Sequence, residues 1–167
     1  YAGPMRDLAL GGGLLWAATD GGLVVWDGAG NAARFTTEHG LPANRVTSLA
    51  IGADGAIWAG TVAGLGRYDG RAWQTFTTAD GLPADAIRDL AADRDGNVWA
   101  ATAAGLALTD GNGWRVTGRG GLFGSLPSQD VTALAVDTAN RLWVATAAGL
   151  SRLEGRRWTT FTAADGL

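Results

Sequence analysis

Residues 93–106 read Asp-Arg-Asp-Gly-Asn-Val-Trp-Ala-Ala-Thr-Ala-Ala-Gly-Leu, with Gly96 three positions before Trp99, Thr102 three after it, and Gly105-Leu106 six and seven after it. The same frame surrounds three other tryptophans. Trp16, Trp58 and Trp143 are followed at the same offsets by Thr19, Thr61 and Thr146, and by Gly22-Leu23, Gly64-Leu65 and Gly149-Leu150. A second Trp recurs fifteen residues on in three copies, as Trp73, Trp114 and Trp158, while the first copy has Asn31 there. Agreement at several fixed offsets, at a period of about 41 residues, marks an internal structural repeat.

The second copy shows what each repeat builds. Val46–Ile51 is a β-branched run that reads as a strand, Ala56–Thr61 reads as a second strand, Leu65–Tyr68 as a third and Trp73–Thr77 as a fourth, each bounded by turn residues. Asp or Glu followed by Gly at 27–28, 69–70, 110–111 and 154–155 marks the turn before the last strand in every copy. Three residues before each first Trp stands Gly13, Gly55, Gly96 or Asn140. Gly and Asn are the residues that best tolerate positive φ, so a left-handed turn residue is expected there. Turns every 8–12 residues and the lack of a sustained 3.6 period exclude a helical repeat. The pattern predicts an all-β chain, a β-propeller of four tandem four-stranded antiparallel blades, with boundaries near 1–42, 43–83, 84–127 and 128–167.

A propeller blade packs on neighbours with both faces, so neither face needs polar residues. Val46 and Leu49 of one strand are expected on opposite faces, yet both are apolar. Trp16, Trp58, Trp99 and Trp143 read as structural wedges between blades. The alternative, an aromatic platform for sugars, does not require Thr and Gly at fixed offsets in every copy.

Composition narrows the function classes. The net charge of −3 gives no electrostatic footprint for nucleic acid or an anionic membrane. All basic residues are Arg, which biased coding explains without function. With no cysteine, disulfides and thiolate metal sites are excluded. The longest uncharged run, Asn97 to Thr109, is too short and too Gly-interrupted to span a bilayer, so no membrane insertion is expected. A chain that opens on Tyr1, with no signal core, fits a processed or excised protein.

The pattern D-x-x-G-x-x-W-x-x-T-x-x-G-L, followed by W-x-x-F-T-x-x-D-G-L-P, resembles the two-component-regulator propeller repeat. The likeness is closest at Asp93–Leu106 and Trp73–Pro83 and extends over essentially the whole chain. It implies blades of the kind found in the extracytoplasmic (periplasmic or extracellular) sensor regions of bacterial hybrid histidine kinases. Those regions bind ligands, often carbohydrate-derived, and do no chemistry. The motif residues shape blades, so the resemblance carries over no binding residue. Two departures stand out: Gly118–Leu126 replaces the usual T-x-x-D-G-L in the third copy, and sensor regions of this kind generally hold more than four blades.

Candidate sites follow from the non-repeating positions. In a propeller, loops that enter the first strand and loops that join the second and third strands share one face. Here that face carries Arg6, Asn44, Arg45, Asp85, Arg88, Gln129 and Asp130, with Phe123 in the long third loop as an apolar contact. They offer a site for a carbohydrate or small anionic ligand, or a set of Arg–Asp braces between blades. His39, the only histidine, replaces the Asp of the D-G-L-P turn and reads as a turn variant. A streptogramin-lyase-like enzyme would need a His base with acidic metal-binding partners. Asp54, Asp80, Asp95 and Asp165 admit a calcium reading, but their repeat-locked positions fit turn capping equally well. No nucleophile elbow, phosphate loop or zinc spacing occurs, and neither a metal nor a cofactor is expected.

The function expected is a non-catalytic ligand-binding sensor module. The alternative is a structural or protein-interaction propeller whose role is self-assembly or scaffolding. Tyr1 aligns with Pro42, and Leu167 ends on the Gly-Leu of a fourth turn, so the chain is an integral set of repeats. Nothing locks the fourth blade to the first, and self-association or further blades are expected to complete a larger ring.

Overall fold

The computed structural model describes residues 3–111, 113–117 and 126–166, in which sixteen strands form four four-stranded antiparallel sheets. The first blade holds β1 (Met5–Gly11), β2 (Leu14–Thr19), β3 (Gly22–Trp26) and β4 (Ala32–Phe35). The second holds β5 (Val46–Ile51), β6 (Ile57–Thr61), β7 (Gly64–Tyr68) and β8 (Trp73–Phe76). The third holds β9 (Ile87–Ala92), β10 (Val98–Thr102), β11 (Gly105–Thr109) and β12 (Trp114–Thr117). The fourth holds β13 (Val131–Val136), β14 (Leu142–Thr146), β15 (Gly149–Glu154) and β16 (Arg157–Phe161). Each blade is a simple meander, its strands hydrogen-bonded in sequence order. The chain is a β-propeller array.

The repeated motif is a list of turn and packing devices. Thr61 Oγ1 donates to the Gly64 carbonyl at 2.7 Å and accepts from the Ala63 N–H at 3.1 Å, closing the turn between β6 and β7. Thr19, Thr102 and Thr146 do the same in the other blades. The Gly that follows is required sterically. Gly64 and Gly149 both sit at φ 136°, and a Cβ there would lie 2.9 Å from the Phe76 carbonyl oxygen or 2.7 Å from that of Phe161. The expected left-handed residues are present: Gly13, Gly55, Gly96 and Asn140 have φ of 75°, 78°, 87° and 60°. The Asp that opens the motif takes the indole proton. Trp99 Nε1 donates to Asp93 Oδ2 at 3.0 Å, and Trp143 Nε1 to Asp137 Oδ2 at 2.9 Å. That indole bond, together with the Arg141 and Ala139 donors, holds the Asp137 carboxyl far below the ordinary range.

Three core clusters hold the blades together, each at one junction. Trp16, Ala18, Leu23 and Val25 of the first blade pack on Val46, Leu49, Ile57 and Ala59 of the second. Trp58 and Leu65 pack on Ile87, Leu90, Val98 and Ala100 of the third. Trp99, Ala101 and Leu106 pack on Val131, Leu142 and Val144 of the fourth. Trp16, Trp58 and Trp99 each lie in one of these junction clusters and are only 4–5% exposed. The second Trp of a blade reaches back to the blade before it. Trp73 meets Phe35 edge-on at 5.8 Å, and Trp114 meets Phe76 at 5.6 Å.

One strand expectation is corrected. Val46 and Leu49 do not lie on opposite faces; both belong to the cluster facing the first blade. A bulge at Thr47, where the register passes from Val46↔Thr61 to Ser48↔Gly60, inserts one unpaired residue and flips the alternation. The face toward the third blade is carried instead by Ala50 and Trp58.

The array is an arc with two different ends. Met5 occupies the position of Val46, Ile87 and Val131 in the cross-strand register. Those three are 0–2% exposed, whereas Met5 is 72% exposed, Leu8 56% and Leu10 80%. At the other end Trp143, Ala145 and Leu150 are half-buried where their counterparts in the earlier blades are buried.

Candidate functional site

The loops that enter the first strands are built around a short 3₁₀ turn. Thr77 N–H donates to Asp80 Oδ2 at 2.9 Å, and Thr162 N–H to Asp165 Oδ2 at 2.8 Å. In the first blade the same bond runs from Thr36 N–H to His39 Nδ1 at 3.2 Å. His39 is therefore a capping residue in a turn that elsewhere uses Asp. Asp54 accepts from Ala56 N–H within its own turn, and Asp95 from Asn140 Nδ2 of the next blade. Among the described residues no group of three or more His, Asp or Glu is arranged to hold a metal ion.

The residues expected at the loop face fall into two junction clusters. Between the first and second blades, Arg6 grips Asp20 with Nε at 2.5 Å and Nη2 at 3.0 Å, and Arg45 approaches the same carboxylate at 3.4 Å. The Arg6 hydrogen bond holds the Asp20 carboxyl below its ordinary value. Between the third and fourth blades, Arg88 pairs with Asp130 and also donates to the Val131 carbonyl at 3.2 Å. Thr47, the counterpart of Arg88, donates to the Ile87 carbonyl at 2.8 Å, so this position bridges to the next inner strand at two junctions. Asn44 Oδ1 and Asp85 Oδ1 accept from Thr37 N–H and Thr78 N–H at 2.9 and 2.6 Å, which fixes the loops themselves. Gln129 contributes its backbone carbonyl to Val131 N–H at 2.9 Å. Phe123 lies outside the described residues, as do 118–125 generally, Tyr1 and Leu167.

Along the inner strands two carboxylates join blade to blade. Asp7 Oδ2 accepts from Leu49 N–H at 2.7 Å, and Asp89 Oδ2 from Leu134 N–H at 2.7 Å. These strands are sheet edges, and each carboxylate satisfies an edge donor of the following blade. Burial pushes the Asp89 carboxyl up, and repulsion from Asp7 adds to this, against the pull of the Leu134 and Leu90 donors.

Among the described residues, the clefts lie at the other end of the strands, where sequence reasoning placed nothing. Clefts open at all three junctions, between the turn joining the first two strands of one blade and the turn before the last strand of a neighbour. The one between the second and third blades encloses about 540 Å³ and is lined by Asp54, Trp58, Arg67, Gln74, Phe76 and Trp114. Trp58 stacks on Phe76 at 5.8 Å and meets Trp114 edge-on at 6.0 Å. Arg67 lies over the Trp58 ring at 5.7 Å and donates to Asp54 Oδ2 at 2.5 Å, so a cation is held over an aromatic wall. The cleft between the first two blades, about 420 Å³, is walled by Trp16, Phe35 and Tyr68 with Asp69 at its rim. The third, about 250 Å³, is polar, with Asp93, Asp95, Asn97 and Asn140. A signal for these clefts was present in the sequence. The strand position paired with the wedge Trp is Val25, Arg67, Leu108 or Arg152, and its chemistry changes from blade to blade within an otherwise fixed frame.

A family model described as two component regulator propeller matches residues 40–63, 81–104 and 125–148. No curated protein sequence gives a match. Among solved structures, the extracellular domain of a hybrid two component system of B. thetaiotaomicron is similar over 98% of this chain and 23% of its own, at 23% identity and TM-score 0.84. A second such domain from the same organism is similar over 95% of this chain and 22% of its own, at 22% identity and TM-score 0.76. Virginiamycin B lyase of Staphylococcus aureus is similar over 97% of this chain and 56% of its own, at 15% identity and TM-score 0.74. These likenesses establish the propeller fold, and the chain spans less than a quarter of the length of the two sensor domains.

Proposed function

The chain carries the two component regulator propeller repeat, and on that premise we propose that it is a non-catalytic, extracytoplasmic sensor module that binds a small polyhydroxy or anionic ligand. The observation that carries the reading is the cleft between the second and third blades. Its volume is that of a small-molecule site, and aromatic walls with a few converging polar groups are the usual make-up of such sites. Phe76 and Trp114, only partly buried beside the buried Trp58, offer apolar surface, while Gln74 and the Arg67–Asp54 pair offer donors and an acceptor. A sugar ring presents the matching combination, an apolar C–H face with hydroxyls at its edge. The extracytoplasmic placement is supported by the likeness to extracellular sensor domains. No helix among the described residues is long and apolar enough to cross a membrane.

The loop-face arginines take second place because none of them lines a cleft described above; pairing does not separate the two sites, since Arg67 is bound to Asp54 as Arg6 is to Asp20 and Arg88 to Asp130. A catalytic reading would need a base, and His39 spends its Nδ1 on a turn N–H. The test is a thermal-shift and calorimetric screen against neutral sugars, uronates and small anions. Binding that is lost in Gln74→Ala and Trp114→Ala but kept in Arg88→Ala supports the cleft. Binding lost only in Arg6→Ala, Arg45→Ala or Arg88→Ala moves the site to the loop face.

A further inference from the structure

The wedge tryptophans differ in what becomes of the indole proton. Ala92 and Val136 pair with the residue before the wedge Trp, and the next residue is Asp93 or Asp137. One carboxylate does two jobs there. It caps the turn, accepting from Asn97 N–H at 2.9 Å or Arg141 N–H at 3.0 Å, and it takes the Trp99 or Trp143 indole proton. The same register position is Gly11 in the first blade and Gly52 in the second. In the first blade the space is filled by a side chain of the next. A Cβ on Gly11 would lie 2.4 Å from Ile51 Cδ1, and Trp16 Nε1 is buried without a partner. In the second blade it is a polar corner. A Cβ on Gly52 would have Asp54 Oδ1 at 2.6 Å, Trp58 Nε1 at 3.2 Å and the Ala56 carbonyl oxygen at 3.7 Å as its nearest neighbours. The carboxylate has moved two residues along, to Asp54. It still caps the turn through Ala56 N–H at 3.0 Å, but its second oxygen goes to Arg67 at 2.5 Å. Among the described residues nothing accepts the Trp58 indole proton, and Gly52, Asp54 and Trp58 all line the cleft between the second and third blades.

On the reading that this cleft is the ligand site, we infer that the corner beside Gly52 is a subsite for one ligand hydroxyl, which makes the ligand a neutral polyhydroxy compound and not an anion. A group seated there accepts from the Trp58 N–H and faces the Asp54 carboxylate at the same time. An ionised carboxylate or phosphate accepts the proton but meets like charge. An ammonium group donates to Asp54 but has no lone pair for the indole. A hydroxyl does both, with one donor and two acceptor lone pairs, and Asp54 Oδ1 has a lone pair left beyond Ala56 N–H. Burial opposes the charged form of Asp54, but the Ala56 and Arg67 hydrogen bonds outweigh it and hold the carboxyl below its ordinary value, so it accepts as a carboxylate at neutral pH. Arg67 does not recruit an anion in its place. Among the described residues of the wall it is the one cation, and Asp54 already matches it, while Asp110 is a further acid.

The experiment follows the Trp58 indole signal in assigned proton–nitrogen correlation spectra of the 167-residue chain. Glucose, galactose and mannose are the neutral probes, and acetate and inorganic phosphate the anionic ones. At least one sugar should shift the signal at millimolar concentration, and neither anion should. Removal of one particular ring hydroxyl, in the monodeoxy analogues of that sugar, should weaken binding roughly five- to tenfold, the worth of the lost hydrogen bonds. Gly52→Asp combined with Asp54→Ala writes the Asp137–Ala139 pattern of the fourth blade into the second. Its new carboxylate should take the indole proton and abolish sugar binding while circular dichroism stays unchanged. The sugar and anion comparison needs no variant and decides the matter even if that double variant unfolds. A signal moved by acetate or phosphate as it is by sugars, or a folded double variant that still binds sugar, overturns the hydroxyl subsite and leaves the cleft reading in place. So does sugar binding that is lost in Gln74→Ala and Trp114→Ala but never moves the Trp58 signal. Sugar binding that needs none of Trp58, Gln74 and Trp114 overturns both.

Discussion

Replacing Trp58 by Ala tests the physical basis of the array. Trp58 is 5% exposed and sits in the middle junction, against Ile87, Leu90 and Val98 of the next blade, with Phe76 stacked on it and Trp114 at its edge. Burying a Trp removes about 150–250 Å² from water. At roughly 25 cal/mol per Å² that is about 4–6 kcal/mol, an upper bound because the unfolded chain is already partly compact. The hole left by truncation lies between two sheets that are tied together by Thr47 and the inner-strand contacts, so it cannot collapse freely. The expected cost is about 3–5 kcal/mol, or a fall in melting temperature of roughly 6–20 °C for a chain of this size. The comparison is Trp73→Ala, a half-buried side chain on an outer strand, which should cost less. Urea titration followed by far-ultraviolet circular dichroism measures both, with the slope checked for loss of cooperativity between blades. If Trp58→Ala has a wild-type midpoint, or Trp73→Ala costs as much, the wedge assignment is wrong.

Three further outcomes are expected. His39→Asp installs the acceptor used by Asp80 and Asp165 and should stabilise the chain by about 0.5 kcal/mol, read as a raised urea midpoint; a lowered midpoint would mean that His39 does something other than cap its turn. A double-mutant cycle on Arg88→Ala and Asp130→Ala should give a coupling below about 1 kcal/mol, because both side chains are over a third exposed and solvent screens the pair. A coupling of several kcal/mol would contradict that weight. Asp89, whose carboxyl is raised by burial, keeps its proton longer folded than unfolded, so its contribution to stability falls as pH rises from about 4 through the folded value. Stability measured from pH 4 to 7 should lose part of that downward slope in Asp89→Asn, and an unchanged slope would remove Asp89 from the account.

Much of the fold was legible because the chain states each instruction four times. Gly64 is legible as a turn residue because a Gly stands at that offset in every copy, whereas the turn-closing hydroxyl of Thr61, read as the end of a strand, is seen only in the structure. The strand bounds of the second blade follow the sequence reading to within a residue or two. The bulge at Thr47 was missed because it is a pairing event between strands. Its trace was nonetheless written in the spacing of Met5 and Leu8, Val46 and Leu49, Ile87 and Leu90, and Val131 and Leu134. Apolar residues three apart share a face only where an extra residue stands between them, but in a blade apolar on both faces the spacing alone does not require one. The clefts were hidden for a different reason: their walls come from two consecutive repeats, and a frame aligned repeat by repeat never sets Trp58 beside Trp114.

What the sequence could not express is a blade's position in the arc. Trp16 and Trp143 sit in nearly the same local frame, yet one is buried and the other half-open, because burial belongs to the neighbour and not to the repeat. The same logic locates function. Residues fixed in all four copies hold blades together and so cannot distinguish one junction from another. On the proposed sensor reading, selectivity for a ligand would come from positions that the frame leaves free, and those are of two kinds here. Arg6, Thr47, Arg88 and Thr132 vary at the inner-strand position, but Arg6 and Arg88 are occupied by carboxylates and Thr47 by a neighbouring carbonyl. Val25, Arg67, Leu108 and Arg152 vary beside the wedge, where Arg67, itself paired with Asp54, lines a cleft and makes the middle junction chemically unlike the other two.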